Sequence, residues 1–163
     1  MDGSGGRPAP KSWLVTDLAP SDRPVWETLY RGYADFYEVA MPAAKLDRVW
    51  TWLQDEGHEL RAVVVREADG APPVGLAHYR PFARPLHGSI GCYLDDLFVA
   101  PAARGTGAVD ALLAELQRRA AANGWDVVRW ITRETNTRAR STYNRLARQT
   151  NLITYDLSPA GEP

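Results

Sequence analysis

The chain has 163 residues, 45% hydrophobic and 24% charged, a composition typical of a single soluble globular domain. Its formal net charge of −1 excludes a global basic field for nucleic acid, and no apolar run approaches the roughly 20 residues of a membrane helix. One cysteine, Cys92, excludes an intramolecular disulfide and favours a cytoplasmic location, and the three histidines lack metal-site spacing, so we expect no metal.

The N-terminal half predicts one strand, two helices and a hairpin. A strand is expected over "SWLVTDL", followed by a helix that continues to Val39, with Ser21 or Asp22 as its cap and Pro24 in its first turn. A second amphipathic helix is expected over "MPAAKLDRVWTWLQDEG". Two strands, "LRAVVVREA" and "VGLAHYRPFA", flank the turn "DGAPP" and predict a hairpin.

The C-terminal half alternates strands with helices. The pattern predicts a strand over "SIGCYLDDLFV", a helix from Gly107 to Ala122, an unbroken buried strand over "GWDVVRWIT", a helix over "NTRARSTYNRLARQ" and a last strand over "NLITYDL". Alternation implies parallel pairing here, whereas the hairpins before it imply antiparallel pairing. We therefore predict an α/β (α+β) fold, a mixed sheet flanked by about four helices.

The predicted organisation is a single domain over residues 12–158. Residues 1–11 are polar and rich in glycine and proline, which predicts a flexible N-terminal tail, and residues 159–163 are expected to form a short C-terminal tail.

A glycine-rich turn, "RGTGAV", lies between a predicted strand and a predicted helix. Glycines allow a ligand close to the backbone, and the first amides of a helix are unpaired donors at the positive end of its dipole. The turn therefore either binds a phosphate or merely reverses the chain. A Walker loop is excluded because no Gly-Lys-Ser/Thr follows, and a dinucleotide fingerprint lacks its third glycine after Gly105 and Gly107.

The stretch "LDDLFVAPAARGTGAVDALL" resembles the central motif of the GCN5-related N-acetyltransferase (GNAT) superfamily, Arg/Gln-x-x-Gly-x-Gly/Ala. Arg104 and Gly107 fill its first two fixed positions, and Val109 departs from the third. The resemblance implies a splayed sheet and acetyl-CoA as co-substrate. Its pyrophosphate is expected to be wrapped by the residues of the turn: Arg104, Gly105, Thr106, Gly107, Ala108 and Val109.

A second stretch, "NTRARSTYNRLA", resembles the Asn-x-x-Ala-x-x-x-Tyr helix of the same superfamily through Asn136, Ala139 and Tyr143. By that resemblance Asn136 contacts the pantetheine and the Tyr143 hydroxyl points at the sulfur. A phenol with a pKa near 10 can protonate a departing thiolate, so we assign Tyr143 as the acid, with an ordinary core tyrosine as the alternative. Arg140 is a candidate contact for the 3′-phosphate of coenzyme A.

The strand "YLDDLFV" is similar to the Tyr-Leu-Glu-Asp-Phe-Phe-Val strand of the diamine (polyamine) acetyltransferases, with Asp95 in place of the catalytic glutamate. The resemblance implies that backbone groups of Leu97, Phe98 and Val99 pair with the acetyl carbonyl and pantetheine. An alkylammonium with a pKa near 10.4 cannot attack until it loses a proton, so we assign Asp95 as base or water relay. The alternative is a paired acid at a strand bulge.

Strand alternation predicts that Asp95 shares one face with Leu97 and that Asp96 lies on the other. Asp96 is expected to have a structural role, as the ion-pair partner of Arg80 or Arg129.

Candidate acceptor contacts come from "LYRGYADFYE" and from Glu134, two residues before the Asn136 motif. Tyr33 and Tyr37 supply aromatic faces suited to a cationic amine, although an aromatic stripe at helical spacing also suits a core, and Glu134 is a further candidate.

The sequence therefore predicts an acetyl-CoA-dependent N-acetyltransferase that acts by direct attack of a primary amine, a polyamine or amino acid being favoured. The alternatives are a protein or peptide lysine acetyltransferase and a degenerate module that binds coenzyme A without turnover. We also expect a homodimer that binds neither nucleic acid nor membrane.

Overall fold

The computed structural model describes residues 12–161. The predicted tail over 1–11 lies outside the described residues, and the predicted tail over 159–163 extends past them. The chain divides into two compact units, one ending at Trp130 and the other beginning at Ile131.

The first unit contains a five-stranded mixed sheet and three α-helices. Along the chain these are β1 (Leu14–Asp17), α1 (Arg23–Phe36), α2 (Ala43–Gln54), β2 (Arg61–Arg66), β3 (Gly75–Arg84), β4 (Ser89–Val99), α3 (Ala108–Ala122) and β5 (Val128–Arg129). The strands lie in the order β1-β2-β3-β4-β5. Neighbours are antiparallel except β4 and β5, which are parallel, as the switch from hairpins to strand–helix alternation predicts.

One face of the sheet is covered by α1 and α2. Trp26 is fully buried there, in a cluster that includes Trp50 from α2, Val64 from β2 and Leu76 from β3. Truncating such a tryptophan to alanine costs about 3–5 kcal/mol, so this cluster is a main source of the stability of the unit. The helix ends at Phe36 rather than at Val39, because Glu38 adopts a left-handed φ of 59°.

The opposite face is covered by α3. Leu112 and Leu116 of this helix are fully buried, and Arg119 donates a hydrogen bond of 3.1 Å to the Tyr79 hydroxyl of β3. Because neighbours along β3 alternate between faces, Tyr79 belongs to the α3 side, and His78 and Arg80 to the α1 side.

Two strand predictions are wrong: one strand is much shorter than predicted, and the other does not form. The stretch "GWDVVRWIT" forms only the two-residue β5, and "NLITYDL" forms no strand among the described residues. Leu152, Tyr155 and Leu157 are 68–97% exposed. An apolar run gives a strand propensity, but a strand also needs a neighbour for its backbone hydrogen bonds, and the pattern alone does not supply one.

The second unit contains the fourth α-helix, α4 (Thr137–Leu146). Asn136 is its N-cap, and the Asn136 side chain accepts a hydrogen bond of 3.4 Å from the backbone amide of Ala139. The predicted helix over this motif is confirmed.

Candidate active site

The sheet has a gap beside the second half of β4. β5 pairs with β4 only at Cys92 and Tyr93, whereas β4 continues to Val99 with β3 as its neighbour. Within the described part of the chain, β4 thus presents one edge of its backbone beyond Tyr93. This edge contains Leu97, Phe98 and Val99, the residues predicted to bind an extended ligand through their backbone.

The glycine-rich turn begins where this edge ends. Gly105 has a φ of 75° and Gly107 a φ of 93°, left-handed values that favour glycine. Gly107 is the N-cap of α3, so the next amides, from Ala108 and Val109, are the first of the helix and have no intrahelical acceptor. The amides and the helix dipole form a place for an anion at the end of the gap.

Arg104 connects the turn to the edge of β4. Its Nε donates a hydrogen bond of 3.1 Å to the Val99 carbonyl, and its guanidinium lies 5.5 Å from the centre of the Phe98 ring. The turn is also held from its other side, since Trp13 Nε1 donates a bond of 2.9 Å to the Thr106 carbonyl. Side chains on both sides of the turn therefore support its geometry.

Phe98 packs against α1 at a point where only glycine leaves room. A Cβ on Gly32 would lie 2.9 Å from Cζ of Phe98, closer than ordinary van der Waals contact. The Phe98 ring also meets Tyr33 edge to face at 6.4 Å. This close approach brings α1 to the strand edge.

A β-bulge places both aspartates on the same side of the sheet. His78 of β3 is opposite Asp96, while Tyr79, the next residue, is opposite Leu94, so Asp95 is the extra residue of β4. Asp96 contacts His78 and Asp95 contacts Arg80, and both of these β3 side chains point to the α1 face. The predicted assignment of the two acids to opposite faces is wrong, because the bulge interrupts the alternation.

Asp95, and not Asp96 as predicted, forms the ion pair with Arg80. Arg80 Nε lies 3.3 Å from Oδ1 and 3.1 Å from Oδ2 of Asp95, with hydrogen-bond geometry satisfied at Oδ1. The buried Oδ2 has no hydrogen-bond partner among the described residues. Burial raises the pKa of Asp95, and Arg80 opposes that rise. The bulge and the ion pair match the structural alternative for Asp95.

Asp96 is enclosed by neutral donors instead of an arginine. Its Oδ2 lies 2.8 Å from His78 Nδ1 and accepts a hydrogen bond of 3.1 Å from the Tyr30 hydroxyl. Burial by itself would raise the pKa of Asp96, but hydrogen bonds from His78, Tyr33 and Tyr30 hold it below its ordinary value. The predicted pairing of Asp96 with Arg80 or Arg129 is wrong.

The predicted acceptor tyrosines form a row along α1. Tyr33 stacks on Tyr30 with ring centres 6.0 Å apart, and Tyr37 follows at 4.9 Å. Burial raises the pKa of Tyr30 and of Tyr33, with the Asp96 charge as the next cause, so both phenols stay protonated. Tyr33 and Tyr37 are half-buried, so they are part of the packing and also offer surface near the bulge.

The remaining predicted residues lie in the second unit. Glu134 is exposed, and its carbonyl accepts a hydrogen bond of 2.8 Å from Arg140. Asn136 caps α4 as described above, and Tyr143 is a half-buried residue of that helix. The roles assigned to these residues stay predictions.

The sequence did not identify His78 as part of the site, and it assigned Arg80 to Asp96 rather than to Asp95. His78 is a fully buried polar residue within the apolar run "VGLAHY", which is the signal that could have identified it as part of a network. No pattern in one sequence predicts the bulge that brings these side chains to the two aspartates.

A pocket of about 450 Å³ lies on the α3 side, where Tyr79, Arg119 and Trp125 are among its lining residues. Arg119 is already bonded to Asp17, Glu115 and Tyr79, and Arg61, which also lines the pocket, donates to backbone carbonyls. Over residues 12–161, we find no cluster of His, Cys, Asp or Glu able to hold a metal ion, and no helix long and apolar enough to cross a membrane.

Comparison with known proteins identifies the family of the chain. The family model described as the acetyltransferase (GNAT) family matches residues 26–147. The D-amino-acid N-acetyltransferase HPA3 of Saccharomyces cerevisiae is 26% identical over 142 residues, which are 87% of this chain and 88% of that protein.

Solved structures of acetyltransferases share the fold at low identity. The ribosomal-protein-alanine N-acetyltransferase of Brucella melitensis biovar Abortus 2308 aligns with a TM-score of 0.74 and 20% identity, over 90% of this chain and 99% of that one. The aminoglycoside N-acetyltransferase AAC(6')-Iy in complex with CoA aligns with a TM-score of 0.75 and 19% identity, over 93% and 98%. The fold of this chain is therefore one that is found in acetyltransferases.

Proposed function

The chain belongs to the acetyltransferase (GNAT) family and is an acetyl-CoA-dependent N-acetyltransferase, and from this premise we propose that it acetylates the primary amine of a small molecule. The observation that carries the proposal is Asp95, a half-buried carboxylate that is ion-paired to Arg80 in the β-bulge and lies beside the open backbone edge of β4.

The donor site fits acetyl-CoA. Left-handed glycines, unpaired amides at the start of α3 and the guanidinium of Arg104 suit a pyrophosphate, which the residues from Arg104 to Val109 would hold. The backbone edge from Leu97 to Val99 would hold the pantetheine and acetyl groups, with Asn136 and Arg140 as further contacts. The bound thioester supplies an activated acetyl group for direct transfer to the amine.

Asp95 acts on the amine. An alkylammonium is mostly protonated at neutral pH, so a proton must leave before nitrogen can attack. The Asp95 carboxylate attracts the cation and accepts this proton, directly or through a water molecule. The raised pKa of Asp95 makes it a better acceptor than an exposed aspartate.

Tyr143 acts on the leaving group. A phenol can protonate the departing thiolate and so prevent the reverse reaction. We assign this step to Tyr143 on the motif that it shares with Asn136, and the half-buried position of its ring in α4 is compatible with the assignment.

The charges around the bulge favour a cationic acceptor such as a polyamine. Asp95 and Asp96 contribute two negative charges, and Arg80 supplies one compensating positive charge. The tyrosines of α1, with Tyr33 as the preferred wall residue and Tyr37 beside it, offer aromatic faces to a cation. Glu134 is a further candidate contact.

An amino acid is the second candidate acceptor. The yeast relative is named a D-amino-acid N-acetyltransferase. Arg129 would supply a cation for the carboxylate, since it is opposite Tyr93 in the sheet and its guanidinium lies 5.5 Å from the centre of the Phe82 ring. Two alternatives remain: acetylation of a peptide lysine, and binding of coenzyme A without turnover. The assay described below distinguishes both from acetylation of a small molecule.

We further propose that the enzyme is a cytoplasmic homodimer. Leu86 and Ile90, beside the turn between β3 and β4, are 95% and 40% exposed and supply apolar surface for self-association. Light scattering on the purified chain tests the dimer.

A thiol-release assay with acetyl-CoA tests the proposed function. The acceptor panel comprises putrescine, spermidine, D- and L-amino acids, an aminoglycoside and a lysine peptide. We expect turnover with a small amine, with the highest kcat/KM for a polyamine or an amino acid. Turnover confined to the peptide would contradict the small acceptor, and stabilisation by coenzyme A without any turnover would support the binding module.

A further inference from the structure

A buried chain of hydrogen bonds links α1 to the bulge through residues that the acetyl transfer itself does not use. Trp26 Nε1 lies 2.9 Å from His78 Nε2, and His78 Nδ1 lies 2.8 Å from Asp96 Oδ2. Trp26 and His78 are completely buried. Tyr30 joins from α1 and donates to the same Asp96 oxygen.

The chemistry of the indole fixes the protonation state of His78. An indole N–H can only donate, so His78 Nε2 must accept and carries no proton. The single ring proton is then on Nδ1 and is donated to Asp96. A doubly protonated His78 would set its Nε2–H against the N–H of Trp26. His78 is therefore neutral, and Asp96 receives a hydrogen bond from it rather than a positive charge.

Asp96 consequently keeps an uncompensated negative charge beside Asp95. The groups that donate to it are the singly protonated ring of His78 and the Tyr30 hydroxyl, and neither carries a positive charge. The nearby guanidinium, from Arg80 of β3, is paired with Asp95 instead.

We propose that Trp26 and His78 are positioning residues that leave the negative charge of Asp96 uncompensated, so that this charge strengthens Asp95 as a proton acceptor and draws cationic acceptors to the bulge. The proposal rests on the proposed function, since it takes Asp95 as the base. A protonated histidine would compensate the charge of the carboxylate that it contacts, and the bulge would lose the negative field that Asp96 supplies.

Several groups act on Asp95 besides Asp96. Burial raises the pKa of Asp95 and the Asp96 charge adds to that rise, while Arg80 of β3 opposes it. The Cys92 thiol of β4 has its own pKa raised to about 11 by burial and is uncharged at neutral pH. From α1, Tyr30 and Tyr33 are protonated phenols. Asp96 is therefore the negative group whose removal changes the charge beside Asp95.

The first test observes the imidazole directly. In the variant with His58→Gln and His87→Gln, His78 is the one histidine left of the three in the sequence. Nitrogen-15 NMR then reports which ring nitrogen of His78 carries its proton. We expect the ring proton on Nδ1 alone, because Nε2 accepts the hydrogen bond from the indole. A proton on Nε2, or on both nitrogens, would overturn the proposal even if other variants fail to fold.

The same spectrum in Trp26→Phe removes the indole donor. We expect the ring proton of His78 to be no longer confined to Nδ1, because Nε2 loses the donor from which it accepts. Trp50→Phe is the matched control, because Trp50 packs on Trp26 at 5.1 Å and lies outside the chain of hydrogen bonds. If the His78 signal of Trp26→Phe stays that of the wild type, the indole does not set the protonation state.

The second test is the pH profile of kcat/KM. The acid limb of this profile is the range in which activity falls as pH drops, and we expect Asp96→Asn to move its midpoint down by about one pH unit. We also expect the substitution to raise KM for a dicationic acceptor about ten-fold, with a smaller rise for a monocation. A uniform fall in kcat with an unmoved limb would show a merely structural role and overturn the proposal.

Asp95→Asn separates failure of this inference from failure of the proposed function. If Asp95→Asn removes the acid limb while Asp96→Asn leaves it in place, the positioning role is wrong and the base assignment survives. If Asp95→Asn retains the limb, the base assignment itself fails, and this inference falls with it.

Discussion

Gly107→Ala tests whether the turn before α3 binds coenzyme A through its backbone geometry. Gly107 has a φ of 93°, and a Cβ there would meet Trp13 at 3.8 Å, an ordinary contact. The substitution therefore adds left-handed backbone strain of about 1 kcal/mol rather than a clash. For a chain of this size we expect Tm to fall by about 2–4 °C.

Strain at this position also displaces the amides that face the ligand, so we expect coenzyme A to bind about five- to ten-fold more weakly in Gly107→Ala. Gly124→Ala is the matched control: Gly124 has a φ of 68°, nothing lies within 4 Å of its added Cβ, and it follows the opposite end of α3. Its Tm should fall by a similar amount, with unchanged coenzyme A affinity. Differential scanning and titration calorimetry measure both quantities, and equal affinities in the two variants would refute the role of the turn.

Three further substitutions test the assigned roles. Tyr143→Phe should lower kcat by about 10²–10³-fold with nearly unchanged coenzyme A affinity, measured by steady-state kinetics and calorimetry, and an equal loss of affinity would contradict its role as acid. Val109→Gly should leave coenzyme A binding unchanged or tighter in the same titration, whereas weaker binding would show that Val109 serves packing. Cys92→Ala should retain turnover within a few-fold, because burial raises the pKa of this thiol to about 11, and its near-complete loss in a folded variant would indicate a nucleophile.

The architecture of the first unit could be predicted because its signals are local and periodic. Helical spacing identified α1 to α3, and the change from hairpins to alternation gave the antiparallel and parallel pairs of the sheet. The last predicted strand failed for the opposite reason: Leu152 and Tyr155 have strand propensity, but pairing depends on a neighbour that lies far away in the sequence.

The site could be predicted in part. The motif located the turn, whose glycines have the left-handed φ that a close approach of a ligand requires. The environments of Asp95 and Asp96 were exchanged in the prediction, because one extra residue in β4 reverses the alternation on which the faces were assigned. The hydrogen bond from Trp26 to His78 joins residues 52 positions apart, and no local pattern predicts it.

The most direct test of the account is kcat/KM for the best acceptor as a function of pH in wild type and Asp95→Asn. A base must be deprotonated to act, so wild-type activity should fall as pH drops through the raised pKa of Asp95. The substitution should remove that limb and lower kcat/KM by about 10²–10³-fold near pH 7, with a smaller defect as pH approaches the pKa of the amine. A folded Asp95→Asn that retains the wild-type profile would contradict the assignment of Asp95 as the proton acceptor.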